Sequence, residues 1–209
     1  PDDQTTEKIL HHAGYQTHHY GKWHLLDGDL DYYPDMFTEH GAYEEMMQET
    51  FAEVRSRPRQ SWMDWYNWSL PVIQSIGYTP IASKLEREQL LQPYTDFISK
   101  IGRLDFPLEL CFDQIVAQKT INALQNLDDR PFMLTCSFNA PHDPNVVPSP
   151  YYEMVDPDQI IFPDNFNAVE PRYESQLSRN IVTATGETGT REILRVYYAN
   201  VLMIDALVG

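Results

Sequence analysis

Two residues of catalytic type, Lys22 and His24, stand one residue apart just beyond a short predicted strand. The lysine supplies a compact positive charge with three hydrogen-bond donors. The imidazole of the histidine can accept or donate a proton near neutral pH. Both would project from the carboxyl end of a strand, where open α/β sheets bind their ligands. This combination suits a small tetrahedral anion and a proton transfer.

A second strand–loop unit carries His142. The nearly all-apolar run 132–138 is typical of a central parallel strand that is covered on both faces. It leads into the loop 139–150, which four prolines stiffen. Histidines at the same topological position in two units predict one shared site at a single sheet edge.

The elements that must position these residues can be predicted from the pattern. A helix over 7–13 is capped by Thr5 or Thr6 and ends at Gly14, and a strand follows over 15–20. Apolar periodicity predicts a helix over 108–127 and a final helix over 192–208. For the final helix the apolar residues are Leu194, Val196, Tyr197, Val201, Ile204 and Leu207. Residues 27–105 are less regular, and we interpret them as an insertion between core elements.

Composition limits the class of protein. The 209 residues can bury a core, and 42% hydrophobic content indicates a globular chain. A net charge of −16 argues against nucleic acid and against an anionic membrane surface as partners. No apolar run has the length of a transmembrane helix. Because the chain starts at Pro1 and ends directly after a helical pattern, we expect it to be an internal piece of a longer protein.

Other polar residues could suggest a metal site, but their spacing argues against one. His11 and His12 are adjacent on a helix, and His18 and His19 are adjacent on a strand, so the members of each pair point apart. The aspartates of 27–31 are typical solvated turn formers. Cys111 and Cys136 are expected to be buried thiols rather than nucleophiles or a disulfide. We therefore predict no metal ligands in this chain.

Three motifs resemble the sulfatase family. The segment 14–24 reads Gly-Tyr-x-Thr-x-x-x-Gly-Lys-Trp-His, which is similar to the second motif of that family, although Tyr20 stands where a small or aliphatic residue is usual. The segment 138–144 looks like the family's Pro-His-x-Pro loop, and 197–209 looks like the helix that follows it. The three motifs occur in the family's order, so the resemblance covers both ends of the chain.

The resemblance implies an α/β fold, namely part of an alkaline-phosphatase-like or sulfatase-like domain with a mostly parallel sheet flanked by helices. Residues 1–209 would form an internal part of one catalytic domain, with a substrate-side insertion at about 27–105 and with the nucleophile segment and the C-terminal part outside the chain. The implied activity is hydrolysis of a sulfate monoester. Lys22 would contact the sulfate and the nucleophile, His24 would act as a base, and His142 would contact the sulfate and act as general acid.

The family also implies two cofactors. Its nucleophile is a formylglycine made from the cysteine of a Cys-x-Pro-x-Arg motif, and a calcium ion lies beside it. Neither Cys111 nor Cys136 has this context. We therefore expect the modified cysteine and the calcium ligands outside the chain, and expect the piece alone to be inactive. The substrate would be a small-molecule or saccharide sulfate ester. Family membership alone suggests a secreted, lysosomal or periplasmic location.

Two alternatives remain open on the sequence. A phosphodiesterase or phosphonate monoester hydrolase of the same superfamily can share the Lys-x-His and Pro-His-x-Pro segments. A truncated, non-catalytic remnant could instead bind an anion or a partner without turning it over. The flanking segments would separate these alternatives, because only the enzyme needs the nucleophile motif.

Overall fold

The structure of the chain is a computed structural model that describes residues 5–22, 39–42, 78–80, 101–105, 108–142, 145–164, 166 and 176–209. These residues belong to two compact units. The first is built from residues up to 59 and from 108–139, and the second from 60–107 and 140–207.

The described elements alternate between helix and strand along much of the chain. The helices are α1 (Thr6–His12), α2 (Phe112–Gln125), α3 (Ser149–Met154) and α4 (Gln176–Val208). The strands are β1 (Gln16–Gly21), β2 (Glu39–Ala42), β3 (Tyr78–Pro80), β4 (Gly102–Leu104), β5 (Phe132–Ser137) and β6 (Val146–Pro148). Single 3₁₀ turns cover Leu108–Leu110 and Pro157–Gln159.

The first unit contains a parallel sheet with the strand order β2-β1-β5. Gln16 lies opposite Phe132 and Gly21 lies opposite Ser137, so β1 and β5 end at the same edge. Parallel strands between helices confirm the predicted α/β class and are consistent with part of an alkaline-phosphatase-like fold. Among the described strands β1 lies between β2 and β5, so the prediction that 132–138 is a central strand of the whole sheet stays a prediction. The side chains of β5 range from half-buried to exposed.

The helix that precedes β1 forms for the predicted reasons. Thr5 is the N-cap of α1, and its hydroxyl accepts a hydrogen bond from the Lys8 backbone N–H at 3.3 Å. Glu7 lies in the first turn, where a negative charge is favourable. Gly14 follows the helix with φ of +91°, a conformation that glycine adopts without a Cβ penalty. The chain is thereby turned directly into β1.

Helices cover both faces of β1. The Thr17 hydroxyl lies 2.9 Å from His11 Nδ1 of α1. Tyr20, which points to the opposite face, packs with Val116 and Ala123 of α2. Every residue of β1 is buried as a result. Polar side chains of this strand find partners around it, since Thr17 meets His11 of α1 and Gln16 Nε2 donates to the Arg130 carbonyl at 3.2 Å.

The second unit contains a sheet with the order β3-β4-β6, in which β3 is antiparallel to β4 and β6 is parallel to it. Its core consists of Ile101, Val147, Tyr152, Val196 and Ala199. The sequence-based loop over 139–150 is wrong at its end, where β6 and the start of α3 occur. Pro150 stands in the first turn of α3, where its missing N–H costs no helical hydrogen bond.

The last helix begins earlier than predicted. Helix α4 is two helical stretches joined at Gly186, which has the non-helical angles φ 63° and ψ −170°. The helix up to this break contains Thr183 and Thr185, whose hydroxyls donate to backbone carbonyls four residues earlier at 2.9 Å. Threonine and glycine lower helix propensity, which is why the sequence pattern predicts a helix only from residue 192.

Candidate functional site

Lys22 lies immediately after β1 at the edge where the parallel strands end. The preceding residue, Gly21, ends β1 with φ of +101°, a conformation that favours glycine. The Lys22 backbone N–H donates to the Ser137 carbonyl at 2.9 Å, so the pairing of β1 with β5 continues one residue beyond the strand. The sequence prediction that Lys22 projects from a strand's carboxyl end agrees with this position.

A buried histidine holds the other backbone group of Lys22. His19 Nε2 lies 3.1 Å from the Lys22 carbonyl oxygen, and the His19 side chain is 4% exposed. Because a carbonyl can only accept, Nε2 must carry the proton in this contact. Both backbone polar groups of Lys22 are therefore bonded, the N–H to the Ser137 carbonyl of β5 and the carbonyl to the His19 ring of β1.

The end of β5 is held by a buried carboxylate. Asp113, in the first turn of α2, is 6% exposed, and its Oδ1 accepts the Asn139 backbone N–H at 2.6 Å. Hydrogen bonds to a charged acceptor are shorter and stronger than those between neutral groups. Asp113 thus fixes the point at which the chain leaves β5.

His142 is exposed and lies between β5 and β6. Three residues further on, the Asn145 carbonyl accepts the Gly102 N–H at 3.1 Å, and its side-chain Oδ1 accepts from Asn200 Nδ2 at 2.6 Å. Asn200 is 1% exposed, and its Nδ2 also donates to the Val196 carbonyl at 3.0 Å. The chain that follows His142 is therefore bonded to both β4 and α4.

The structure describes two of the three predicted site residues, and these two belong to different units. Lys22 belongs to the first unit and His142 to the second, and each is placed within its own unit. His24 lies outside the described residues. The convergence of these three side chains on one pocket stays a prediction.

The histidines of the first unit make contacts of other kinds. His11 pairs with Thr17 and His19 with the Lys22 carbonyl, while the His18 and Tyr20 rings stack with centroids 6.5 Å apart. Among the residues that the structure describes, no group of three His, Cys, Asp or Glu side chains is arranged to hold a metal ion. The aspartates of 27–31 lie outside those residues.

Both cysteines are free, and both are held in the thiol form. Burial, and then the negative charges of Asp113 and Glu109, raise the pKa of Cys111 to about 12. Burial also raises the pKa of Cys136, partly opposed by a hydrogen bond with Thr120. Because the thiolate is the nucleophilic form, neither residue is suited to attack a substrate at neutral pH.

Comparison with known families fits this arrangement. The Sulfatase family model matches residues 4–209, which is nearly the whole chain. The chain belongs to the sulfatase family, as its motifs predicted, and thus to a superfamily of hydrolases. No curated protein matches it significantly. Within the described residues, no helix combines the length and apolar character needed to cross a membrane.

Sequence reasoning missed the residues that hold the backbone around the candidate site: His19, Asp113, Asn145 and Asn200. One signal was available for Asp113, because a charged residue within a buried helical stripe requires a partner. A second signal was available for His19, because side chains alternate between the two faces of a strand and a polar side chain on a covered face needs a hydrogen-bond partner.

Proposed function

We propose that the full-length protein is a sulfatase that hydrolyses an organic sulfate monoester, with Lys22, His24 and His142 as its reacting side chains from this chain. Family membership carries the proposal. It is supported by the position of Lys22 at a parallel sheet edge with both of its backbone groups bonded. The substrate would be a small-molecule or saccharide sulfate ester.

Lys22 would bind the sulfate oxygens. A sulfate monoester carries one negative charge over three oxygens, and an ammonium offers three donors for them. Charge that is placed before the reaction stabilises the transition state without reorganisation, and removal of one such donor commonly costs about 10²–10³ in rate. The bonded backbone of Lys22 is what such preorganisation requires.

The two histidines would move protons. His142 would donate a proton to the departing oxygen, a contribution of typically about 10²–10⁴-fold. His24 would act as a general base by accepting a proton on its imidazole. The exposure of His142 is compatible with access to a bound ester.

Calcium and formylglycine belong to the proposal through the family only. When present, they supply a charge-neutralising cation and a hydrated aldehyde as nucleophile. Neither cysteine has the Cys-x-Pro-x-Arg context, which supports our proposal that the modified cysteine and the calcium ligands lie outside this chain. We also propose that the chain forms an internal part of one catalytic domain, with a substrate-side insertion at about 27–105.

The test compares Lys22→Ala and His142→Ala with the wild-type full-length protein, using Lys8→Ala on α1 as the control for loss of a lysine charge. Each site variant should lower kcat/KM for an aryl sulfate by about 10²-fold or more. Thermal stability should change little, because both side chains lie at a predicted cleft. Normal turnover in either variant, with a large loss of stability, would contradict the assignment.

Leaving groups separate the two roles. His142→Ala should slow phenyl sulfate far more than 4-nitrophenyl sulfate, because a good leaving group needs no proton. Lys22→Ala should slow both esters by a similar factor, because the sulfate group is common to them. Equal losses on both esters in His142→Ala would refute the general-acid role.

A further inference from the structure

We infer that His19 is a positioning residue that sets the placement of Lys22 by holding its backbone carbonyl, an inference that rests on the proposed function. The contact joins His19 Nε2 and the Lys22 carbonyl oxygen at 3.1 Å. The resemblance to the sulfatase motif gives roles to Lys22 and His24 but none to His19. The His19 residue is buried, with 4% of its surface exposed.

The need for such a contact arises from Gly21. A glycine at φ +101° has wide freedom about its backbone bonds, and the residue after it inherits that freedom. The bond between the Lys22 N–H and the Ser137 carbonyl restrains the peptide unit that precedes the Lys22 Cα. The His19 contact with the Lys22 carbonyl restrains the peptide unit that follows it, so the Cα is held between two fixed points.

His19 is itself well placed to act as a fixed point. It is a residue of β1, which pairs with a strand on each side: His19 lies opposite His40 of β2 and Thr135 of β5. A ring held in a buried central strand loses little further freedom when it donates a hydrogen bond. The same donor on a mobile loop would place Lys22 less accurately.

The consequence for catalysis is geometric. The lysine side chain is long and flexible, so the position of its Cα limits where the ammonium can reach. A misplacement of about 1 Å at a reacting group can cost roughly 10²-fold in rate. His19 therefore acts on the reaction through Lys22 and not by contact with the ester.

The experiment uses three variants of the full-length protein. His19→Met fills the position with an apolar side chain of similar length and removes the donor, whereas His19→Gln keeps an N–H donor at similar reach. His18→Met is the matched control, since His18 is also buried, with 7% exposed, and points to the opposite face of β1. Amide exchange at Lys22 and kcat/KM for an aryl sulfate are measured in each variant, and His19→Met is repeated with Lys22→Ala.

We expect His19→Met to lower the protection of the Lys22 amide by about tenfold or more and to lower kcat/KM by about 10–100-fold. His19→Gln should restore both values to within a few-fold of the wild type, and His18→Met should leave the Lys22 amide protected. With Lys22→Ala already present, His19→Met should change kcat/KM by less than about twofold, because the two residues act as one unit.

Two outcomes would overturn the inference. Unchanged protection of the Lys22 amide in His19→Met would show that the contact does not hold the backbone, whatever the protein's activity. An equal loss of kcat/KM from His19→Met in the wild-type protein and in the Lys22→Ala variant would show that His19 has only a general structural role. Absence of sulfate hydrolysis by the wild type would instead refute the proposed function, and the amide measurement would still decide the role of His19 in holding Lys22.

Discussion

Replacement of Gly21 by alanine tests the geometry of the sheet edge most sharply. A Cβ added at Gly21 would overlap the Ser137 carbonyl oxygen and would lie 3.2 Å from Val116 Cγ1. The same carbonyl accepts the Lys22 N–H. The substitution would therefore force β1 and β5 apart at the point that positions Lys22.

The cost can be worked from two contributions. A left-handed conformation costs an alanine about 1–2 kcal/mol, and the reduced freedom of the unfolded chain offsets about 0.4–1 kcal/mol of this. Loss of the hydrogen bond to Ser137 and of the packing around it adds about 1–3 kcal/mol. We expect Gly21→Ala to lower the unfolding free energy by about 1–4.5 kcal/mol.

Gly14→Ala provides a matched control. Gly14 has φ of +91°, close to that of Gly21, but a Cβ at Gly14 meets no atom within 4 Å. Gly14→Ala should therefore lower the unfolding free energy only by the cost of the left-handed conformation, about 0–1.5 kcal/mol. Urea denaturation of the full-length variants measures the difference, and kcat/KM for an aryl sulfate should fall at least about tenfold in Gly21→Ala alone.

The reasoning would be refuted by equal destabilisation in the two variants, since their backbone angles are similar and only the crowding differs. It would also be refuted if Gly21→Ala lost stability and kept full activity, because Lys22 could not then depend on this turn.

Two further predictions concern the first unit. The pKa of Cys111 is raised in the folded state, so the stability that the buried thiol contributes is fully present below the unfolded pKa of about 9 and is lost as pH rises toward about 12. The unfolding free energy should therefore fall by up to about 1.4 kcal/mol per pH unit in this range. Urea denaturation at pH 8.5 and 10.5 measures this fall, which should be smaller in Cys111→Ala. An unchanged slope would contradict the raised pKa. Asp113→Asn should destabilise the protein by about 1–3 kcal/mol, because a neutral amide replaces the charged acceptor of the Asn139 N–H, whereas Asp129→Asn on the exposed surface should change stability by less than about 0.5 kcal/mol. Equal effects of the two substitutions would contradict this role of Asp113.

Local signals were sufficient for the elements around Lys22. Thr5, Glu7 and Gly14 mark the start and end of α1, and the extended run after Gly14 predicts β1 nearly to the residue. These signals work because capping and left-handed glycine depend on a few neighbouring residues. The family motif then locates Lys22 and His142 without any structure.

The faces of the helices were harder to predict. In α4, Tyr197 and Val201 were assigned to the apolar face, but they are more than 40% exposed. Val196 is buried as predicted, but Ala199, Asn200 and Met203, which lie outside the predicted apolar set, are buried as well. Burial depends on which neighbour covers a helix, and a buried amide can be satisfied by a partner that is far away in the sequence.

The hydrogen bonds around the site could not have been derived from the sequence for the same reason. Asn200 meets Asn145 across 55 positions, and Asp113 meets Asn139 across 26. Such pairs are set by tertiary packing, which residue patterns do not encode directly. The predicted insertion at about 27–105 and the convergence of Lys22, His24 and His142 remain predictions.

The central claim is that this sulfatase-family domain cleaves sulfate monoesters. The most direct test measures kcat/KM of the full-length protein for an aryl sulfate and for an aryl phosphodiester with the same leaving group. The proposed function predicts a rate that strongly favours the sulfate and that Lys22→Ala reduces by about 10²-fold or more. A rate that strongly favours the phosphodiester, or no turnover of the sulfate at all, would contradict it.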